Sequence, residues 1–280
     1  MTPDSPQEPD PLGQLAERAL SGDRAALELL CRELQGPLFR LALRIVGKPE
    51  PARDATQEVL LQVVTHLSQF RGESRLLTWA YTIATRHFLR SRSKLARERG
   101  VEALEGQIRL GLHVTEPSSA PEGDARLLER ETRLGCTSAM LACLSREERV
   151  AVVLVEVLGA DDELGARLCE TSAATFRKRL SRARQKLRPI LEDLCGLARS
   201  EAPCSCSRQA RAKQIGGFTS TTYGHLPLVD EPTVARAMEG LGALRRLGPV
   251  FAVEPLVAPP EDLWEALRRR LPVVLGGGEP

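Results

Sequence analysis

Apolar residues recur along this chain at i, i+3 and i+4, and strict apolar–polar alternation is scarce, so the pattern predicts helices almost throughout. Asp10-Pro11 reads as the N-cap and first position of an opening helix, with Leu12, Leu15 and Ala19 on one face. Gly22-Asp23 ends it. A second helix is expected from about Arg24 to Gln35 and a third from Pro37 to about Val46, closed by Gly47-Lys48-Pro49. A fourth runs from about Pro51 to Gln69. Arg71 to Leu77 reads as a loop, and a long basic helix follows from Thr78 to about Glu98. Residues 99–136 are rich in Gly, Pro, Ser and acids and predict a flexible linker, with room for a short helix at its end. Ser145-Arg146-Glu147-Glu148 is a capping box in front of Val150, Val153, Leu154 and Val157. A short helix from Asp161 to about Cys169, a break at Glu170-Thr171-Ser172 and a long helix from Ala173 to about Leu194 read as helix-turn-helix. Beyond Cys195 the chain turns to Cys, Ser and Gly, then offers two more helices, Asp230 to about Leu247 and Pro260 to about Leu271.

The expected fold class is therefore all-α. Two helical domains, 10–98 and 137–194, are joined by the linker 99–136 and followed by a helical extension, 195–280. A length of 280 residues suits about two domains. With 42% hydrophobic and 27% charged residues, a mostly disordered chain is excluded. The start of the chain shows neither a basic n-region nor an apolar h-region, and no apolar stretch is long enough to span a bilayer, so a cytoplasmic protein with no membrane partner is expected.

Charge changes the picture once it is located. Lys and Arg number 39 against 37 Asp and Glu, a net of +2 that does not suggest a nucleic-acid binder. The charges are segregated, however. Six basic residues and one acid fall between Arg86 and Arg99, and seven basic residues with no acid between Arg177 and Arg188. Two such runs, one on the second helix of a helix-turn-helix, form an electrostatic footprint for polyphosphate. Four of the ten aromatics, Phe70, Trp79, Tyr81 and Phe88, cluster at the loop and the first basic helix, where rings can stack on unpaired bases. Phe70 and Phe88 read better as core. Trp79 and Tyr81 stand about 200° apart on a helix, so at most one faces a base.

The residues Gly22, Asp23, Ala25 and Ala26, then LFRLALRIVG from Leu38 to Gly47, then Asp54, Gln57, Glu58 and Val59, then Phe70 to Gly72, then Thr78, Trp79, Tyr81, Ile83 and Ala84 together resemble region 2 of the bacterial sigma-70 family, and most of all its extracytoplasmic-function (ECF) group. TFRKRLSRARQKLR, from Thr175 to Arg188, is similar to that group's region 4. The resemblance implies a sigma factor that binds core RNA polymerase at its β′ clamp and β flap and directs initiation at promoter DNA. It implies clamp docking by Asp54, Gln57 and Glu58, which share one helix face expected to be exposed. It implies −10 contacts by Arg71, Ser74, Arg75, Thr78, Trp79, Tyr81, Arg86, His87 and Arg90, with a base flipped into the loop. It implies −35 contacts by a recognition helix capped by Ser172, with Ala173, Thr175, Phe176, Arg177 and Arg179 facing the major groove and Arg182, Arg184 and Lys186 on the backbone. A separate anti-sigma factor is a further candidate partner.

Three positions depart from the family pattern. Glu170 stands at the turn where Gly is usual, Gly165 lies inside the first helix of the motif, and Phe176 replaces the usual Val. The extension adds Cys195, Cys204 and Cys206, three thiols within twelve residues, similar to a cysteine motif of some ECF subgroups, metal-responsive ones included. Zn or Cu binding, a structural staple and inert thiols all stay open. His225 is one candidate for a fourth ligand, and Cys31, Cys136, Cys143 and Cys169 read as small buried apolar residues. The extension is also a candidate gate folded over the two domains. An enzyme is disfavoured, since there is no phosphate-cradling glycine loop and no H-E-x-x-H. The rival reading is a degenerate sigma-like protein or helix-turn-helix regulator that binds DNA or polymerase without initiating.

Overall fold

The computed structural model describes residues 10–90, 100–113, 122–215, 259–260 and 262–274. Among these residues the regular structure is helical, apart from one isolated bridge between Cys195 and Cys204. The expected helix Asp230–Leu247 lies outside the described residues, as does His225.

The first block holds α1 (Pro11–Leu20), α2 (Arg24–Val46), α3 (Pro49–Thr65) and α4 (Leu76–Arg90). Asp23 caps α2 by accepting from the Ala26 amide at 3.0 Å. The second and third expected helices are one continuous helix. Pro37 sits inside α2, although it lacks a donor and crowds the carbonyl four residues back. Burial outweighs that cost. Residues 41–46 of α2 are buried without a break, because this half of the helix meets neighbours on several sides. The fourth helix also differs from expectation: α3 stops at Thr65, and a separate 3-10 turn spans Leu67–Gln69. Asp10 does occupy the N-cap position of α1, but its carboxylate makes no bond there. It accepts instead from the Leu76 amide at 2.7 Å and so caps α4.

The expected linker carries two helices, α5 (Val101–Leu112) and α6 (Glu122–Ala142). Leu104, Ile108 and Leu134 are buried, so apolar spacing prevailed over the glycines at 106 and 111. The second block holds α7 (Arg146–Val152), a π-helical turn at Val153–Val157, α8 (Asp162–Leu168) and α9 (Ala173–Asp193). The capping box at Ser145 forms in both directions. Phe176, Leu180, Ala183, Leu187, Ile190 and Leu191 give α9 one buried stripe. Two helices from the extension complete the described fold. Helix α10 (Cys206–Ile215) packs on α5 and α6, and α11 (Asp262–Val274) packs on α3 with Leu263 and Leu267 fully buried.

The two blocks share one core. Arg149, 1% exposed, donates to the carbonyls of Leu141 at 2.7 Å, Leu144 at 3.4 Å and, across the boundary, Ile45 at 2.7 Å. Its charge is met by three carbonyl dipoles at a junction between helix ends, which satisfies acceptors that α2 and α6 leave open. Arg44 bridges the same boundary, donating to the Thr137 hydroxyl at 3.0 Å.

Candidate nucleic-acid interface

Helix α3 presents Asp54 and Glu58 to solvent. Gln57 does not join them: it is 7% exposed, a correction to the expected three-residue face. Seven residues make nearly two full turns, so Gln57 lies on the same line of the helix as the buried Val64. Glu58 leads on to α4, standing 3.5 Å from Nε2 of His87, while the Gln62 amide lies 3.3 Å from its Nδ1. Burial lowers the His87 pKa, and Glu58 only partly opposes that shift. A partnered, largely covered imidazole held toward its neutral form is a poor phosphate ligand, so His87 is better read as a brace between α3 and α4.

The loop between the 3-10 turn and α4 exposes Arg71 and Glu73 and leaves Ser74 and Arg75 half-buried. Its two ends are fixed, one by the Asp10 carboxylate on the Leu76 amide and the other by Phe70 against Trp79, with ring centroids 5.6 Å apart. Thr78 and Trp79 are half-buried beside this opening. Tyr81 packs inward: burial pushes its phenol up to about 12, with Arg40 opposing. Tyr81 thus belongs to the packing, while Trp79 stands half-buried at the loop against Phe70. Phe88 is buried in the core, as expected.

In the helix-turn-helix, Glu170 keeps the turn a glycine would make. Its φ is 49°, and among the described residues it alone has a positive φ without being glycine. That backbone costs about 1 kcal/mol or more in a residue with a Cβ. The other two departures account for each other. Phe176 is 0% exposed, and its ring lies where a Cβ on residue 165 would be. A glycine in α8 makes room for a phenylalanine in α9. This corrects the expectation that Phe176 reads bases. Thr175 and Arg177 are exposed, Ala173 and Arg179 are half-buried, and Ser172 caps α9 by accepting from the Thr175 amide at 3.2 Å. Arg182 is exposed, and among the described residues neither it nor Arg177 forms an ion pair. Arg184 and Lys186, expected on the DNA backbone, are spent within the fold. Arg184 pairs with the buried Glu156 at 2.5 Å, and Lys186 with Glu148 at 2.7 Å.

Arg86 and Arg90, the exposed cations of α4, meet the turn of the other block. Both guanidiniums bond the Glu170 carboxylate, Arg90 at 3.4 Å. Nothing in the local sequence of either element signals a pair separated by 84 positions in the chain.

Cys195, Cys204 and Cys206 converge, and Cys136 of α6 joins them. All four line one cavity of about 30 Å³ with Met140 and Leu197. The approach depends on Gly196, whose amide bonds the Cys204 carbonyl at 2.9 Å and where a Cβ would strike that same oxygen. Burial pushes the Cys136 thiol up to about 12 and Cys204 up to about 11, and raises Cys206. Cys136 is half-buried beside this cluster and not an ordinary core residue, because α10 folds onto α6. The donors suit a soft metal in kind and number. In this arrangement, though, no three His, Cys, Asp or Glu side chains among the described residues are placed to hold one ion. No described helix is long and apolar enough to cross a membrane.

Comparison with known proteins agrees with this layout. The sigma-70 region 2 family matches residues 30–98, which span the core of the first block from α2 through α4. The RNA polymerase sigma-H factor of Pseudomonas aeruginosa is 29% identical over 184 residues, covering 65% of this chain and 94% of that protein. The ECF RNA polymerase sigma factor EcfG of Rhodopseudomonas palustris is 31% identical over 154 residues, 55% of this chain and 78% of its own length. The ECF RNA polymerase sigma-E factor of Escherichia coli is 28% identical over 184 residues, 63% of this chain and 94% of its own. Region 2, the exposed basic helices and the shared span of these relatives place this chain in the ECF group of sigma-70 family RNA polymerase sigma factors.

Proposed function

We propose that this chain binds core RNA polymerase through the exposed Asp54 and Glu58 of α3, reads a −35 element with Thr175, Arg177 and Arg182, and opens a −10 element at the loop beside Trp79. The observation that carries this reading is the pair of exposed basic helices, each behind a fixed N-terminus, one of them next to a loop with an aromatic ring at its mouth. Arginine supplies bidentate donors for guanine in the major groove, and an aromatic ring supplies the stacking that offsets unpairing a base. Such a protein works in the cytoplasm, on the chromosome. The test is run-off transcription with sigma-free core polymerase. Specific transcripts are expected, abolished by Arg177→Ala with Arg182→Ala. Binding to DNA or polymerase with no transcript from any promoter would favour the degenerate, non-initiating reading.

The four thiols favour a second role beside the first, as a site for Zn or Cu that signals to the DNA-binding blocks. Cys136 belongs to α6, between the two blocks, while Cys195, Cys204 and Cys206 belong to the extension, so an ion held by all four would fasten one to the other. Because burial holds Cys136, Cys204 and Cys206 toward the protonated thiol, binding must expel protons and draw the side chains inward, and affinity should rise with pH. Titration with Zn against a colorimetric chelator is expected to give one site per chain, lost in Cys136→Ser as well as Cys204→Ser. An unchanged site in Cys136→Ser would remove that residue from the ligand set.

A further inference from the structure

Glu170 is an expensive residue in its place. It holds a left-handed backbone that glycine would adopt without strain, and strain of this sort persists where the surroundings use it. What its side chain does is clear from its neighbours. The carboxylate leaves the helix-turn-helix and sits between Arg86 and Arg90 of α4, on the other block. These are two of the cations assigned above to phosphate. A carboxylate between two guanidiniums fills the place a phosphodiester would take, since each offers a pair of anionic oxygens to the same donors.

The contact also fixes geometry. It ties the turn in front of the −35 reading helix directly to the helix beside the −10 loop. The −10 and −35 elements lie roughly 25 base pairs apart, about 85 Å of duplex at 3.4 Å per pair. A chain with these two elements in contact cannot engage both at once, so promoter binding requires the blocks to part. Arg149 and Arg44 bridge the same boundary from within, to the Ile45 carbonyl and the Thr137 hydroxyl. The Glu170 contact differs from these in that it both joins the blocks and covers cations of α4.

We propose that Glu170 is an intrachain latch, a phosphate mimic that keeps the free protein closed and withholds Arg86 and Arg90 from DNA until the two blocks separate. The inference rests on the sigma-factor reading above. The pairs are exposed, 42% for the Arg86 side chain and 73% for Arg90, so salt should weaken the latch.

The test uses the full chain without DNA. Small-angle scattering of the wild type, Glu170→Gln and Glu170→Gly is compared at about 50 mM and about 500 mM salt, where the Debye length shortens severalfold. At low salt both variants are expected to show a larger radius of gyration than the wild type, with the difference closing at high salt. An Arg86→Gln, Arg90→Gln background is expected to be expanded in the same way, and there Glu170→Gln should add nothing. Labelled single-stranded DNA should bind Glu170→Gln at low salt about three- to tenfold more tightly than it binds the wild type. That gain alone could come from removing an acid near DNA, which is why the DNA-free measurement decides. Equal radii for all three proteins at low salt would overturn the latch, as would expansion in Glu170→Gly but not in Glu170→Gln, which would assign the effect to backbone strain. Failure of the sigma-factor reading looks different: the wild type would not support transcription at any salt, whatever its shape.

Discussion

At the scale of single residues, the three departures from the family pattern resolve into two physical arrangements. Gly165 and Phe176 are one exchange of volume across the α8–α9 contact, and either change alone would disturb it. Gly165→Ala is expected to cost about 1–3 kcal/mol by driving a methyl into the Phe176 ring. The same substitution with Phe176→Val should recover most of that loss. Urea denaturation of the two variants decides, and an undisturbed single variant would refute the exchange. His87 gives a second residue-scale expectation. Burial lowers its pKa below the ordinary 6.5, so the unfolded chain takes up this proton before the folded one does. The stability it contributes is present above pH 6.5 and lost as pH falls through that value toward the lowered one. Urea midpoints between pH 7.5 and 5 should fall more steeply for the wild type than for His87→Gln.

At the scale of elements, α11 shows how much of the extension is structural. Leu263 and Leu267 are four apart on one face and fully buried against the first block, and Arg268 reaches to 3.9 Å from Glu28 of α2. Leu→Ala at such positions costs about 2–5 kcal/mol, more than one short helix gains by docking. Leu263→Ala with Leu267→Ala is therefore expected to release α11, seen as early proteolytic cleavage between 259 and 274 while residues 10–90 stay protected. Equal protection in the variant would mean that other contacts hold this helix. The existence of this helix was legible in the sequence, because a 3.6-residue apolar stripe needs only local information, and so was the capping box at Ser145. What the local pattern misjudged were places where distant packing overrode it. Pro37 looked like a boundary but lies in a helix braced along its second half. Gln57 and Phe176 looked like surface because family position, not their own surroundings, assigned them. Cys136 and the Glu170 pair depend on residues 59 to 84 positions away, which no periodicity encodes.

At the scale of the whole molecule, several cations of the basic helices are met by acids within the fold. Arg86 and Arg90 face Glu170, Arg184 faces Glu156 and Lys186 faces Glu148, while Arg177 and Arg182 of α9 stay exposed. The thiols supply a second property of the whole, an alkaline limit. Burial pushes Cys31 and Cys136 up to about 12 and Cys169 and Cys204 up to about 11, from an ordinary 9.0. Above pH 9 the unfolded chain releases these protons while the folded chain keeps them. Stability is therefore full below pH 9 and declines as pH rises toward 11–12, by up to about 1.4 kcal/mol per pH unit for each thiol. Tyr81, also raised to about 12, acts in the same direction, whereas Lys213, lowered by burial, opposes it. Single-variant differences remove that background. Cys136→Ser should flatten the decline of the urea midpoint between pH 9 and 10.5 by nearly one proton's worth. An equally steep decline in Cys136→Ser would mean that this thiol ionises in the folded chain as readily as in the unfolded one, and that the wall of the four-thiol cavity is open to water.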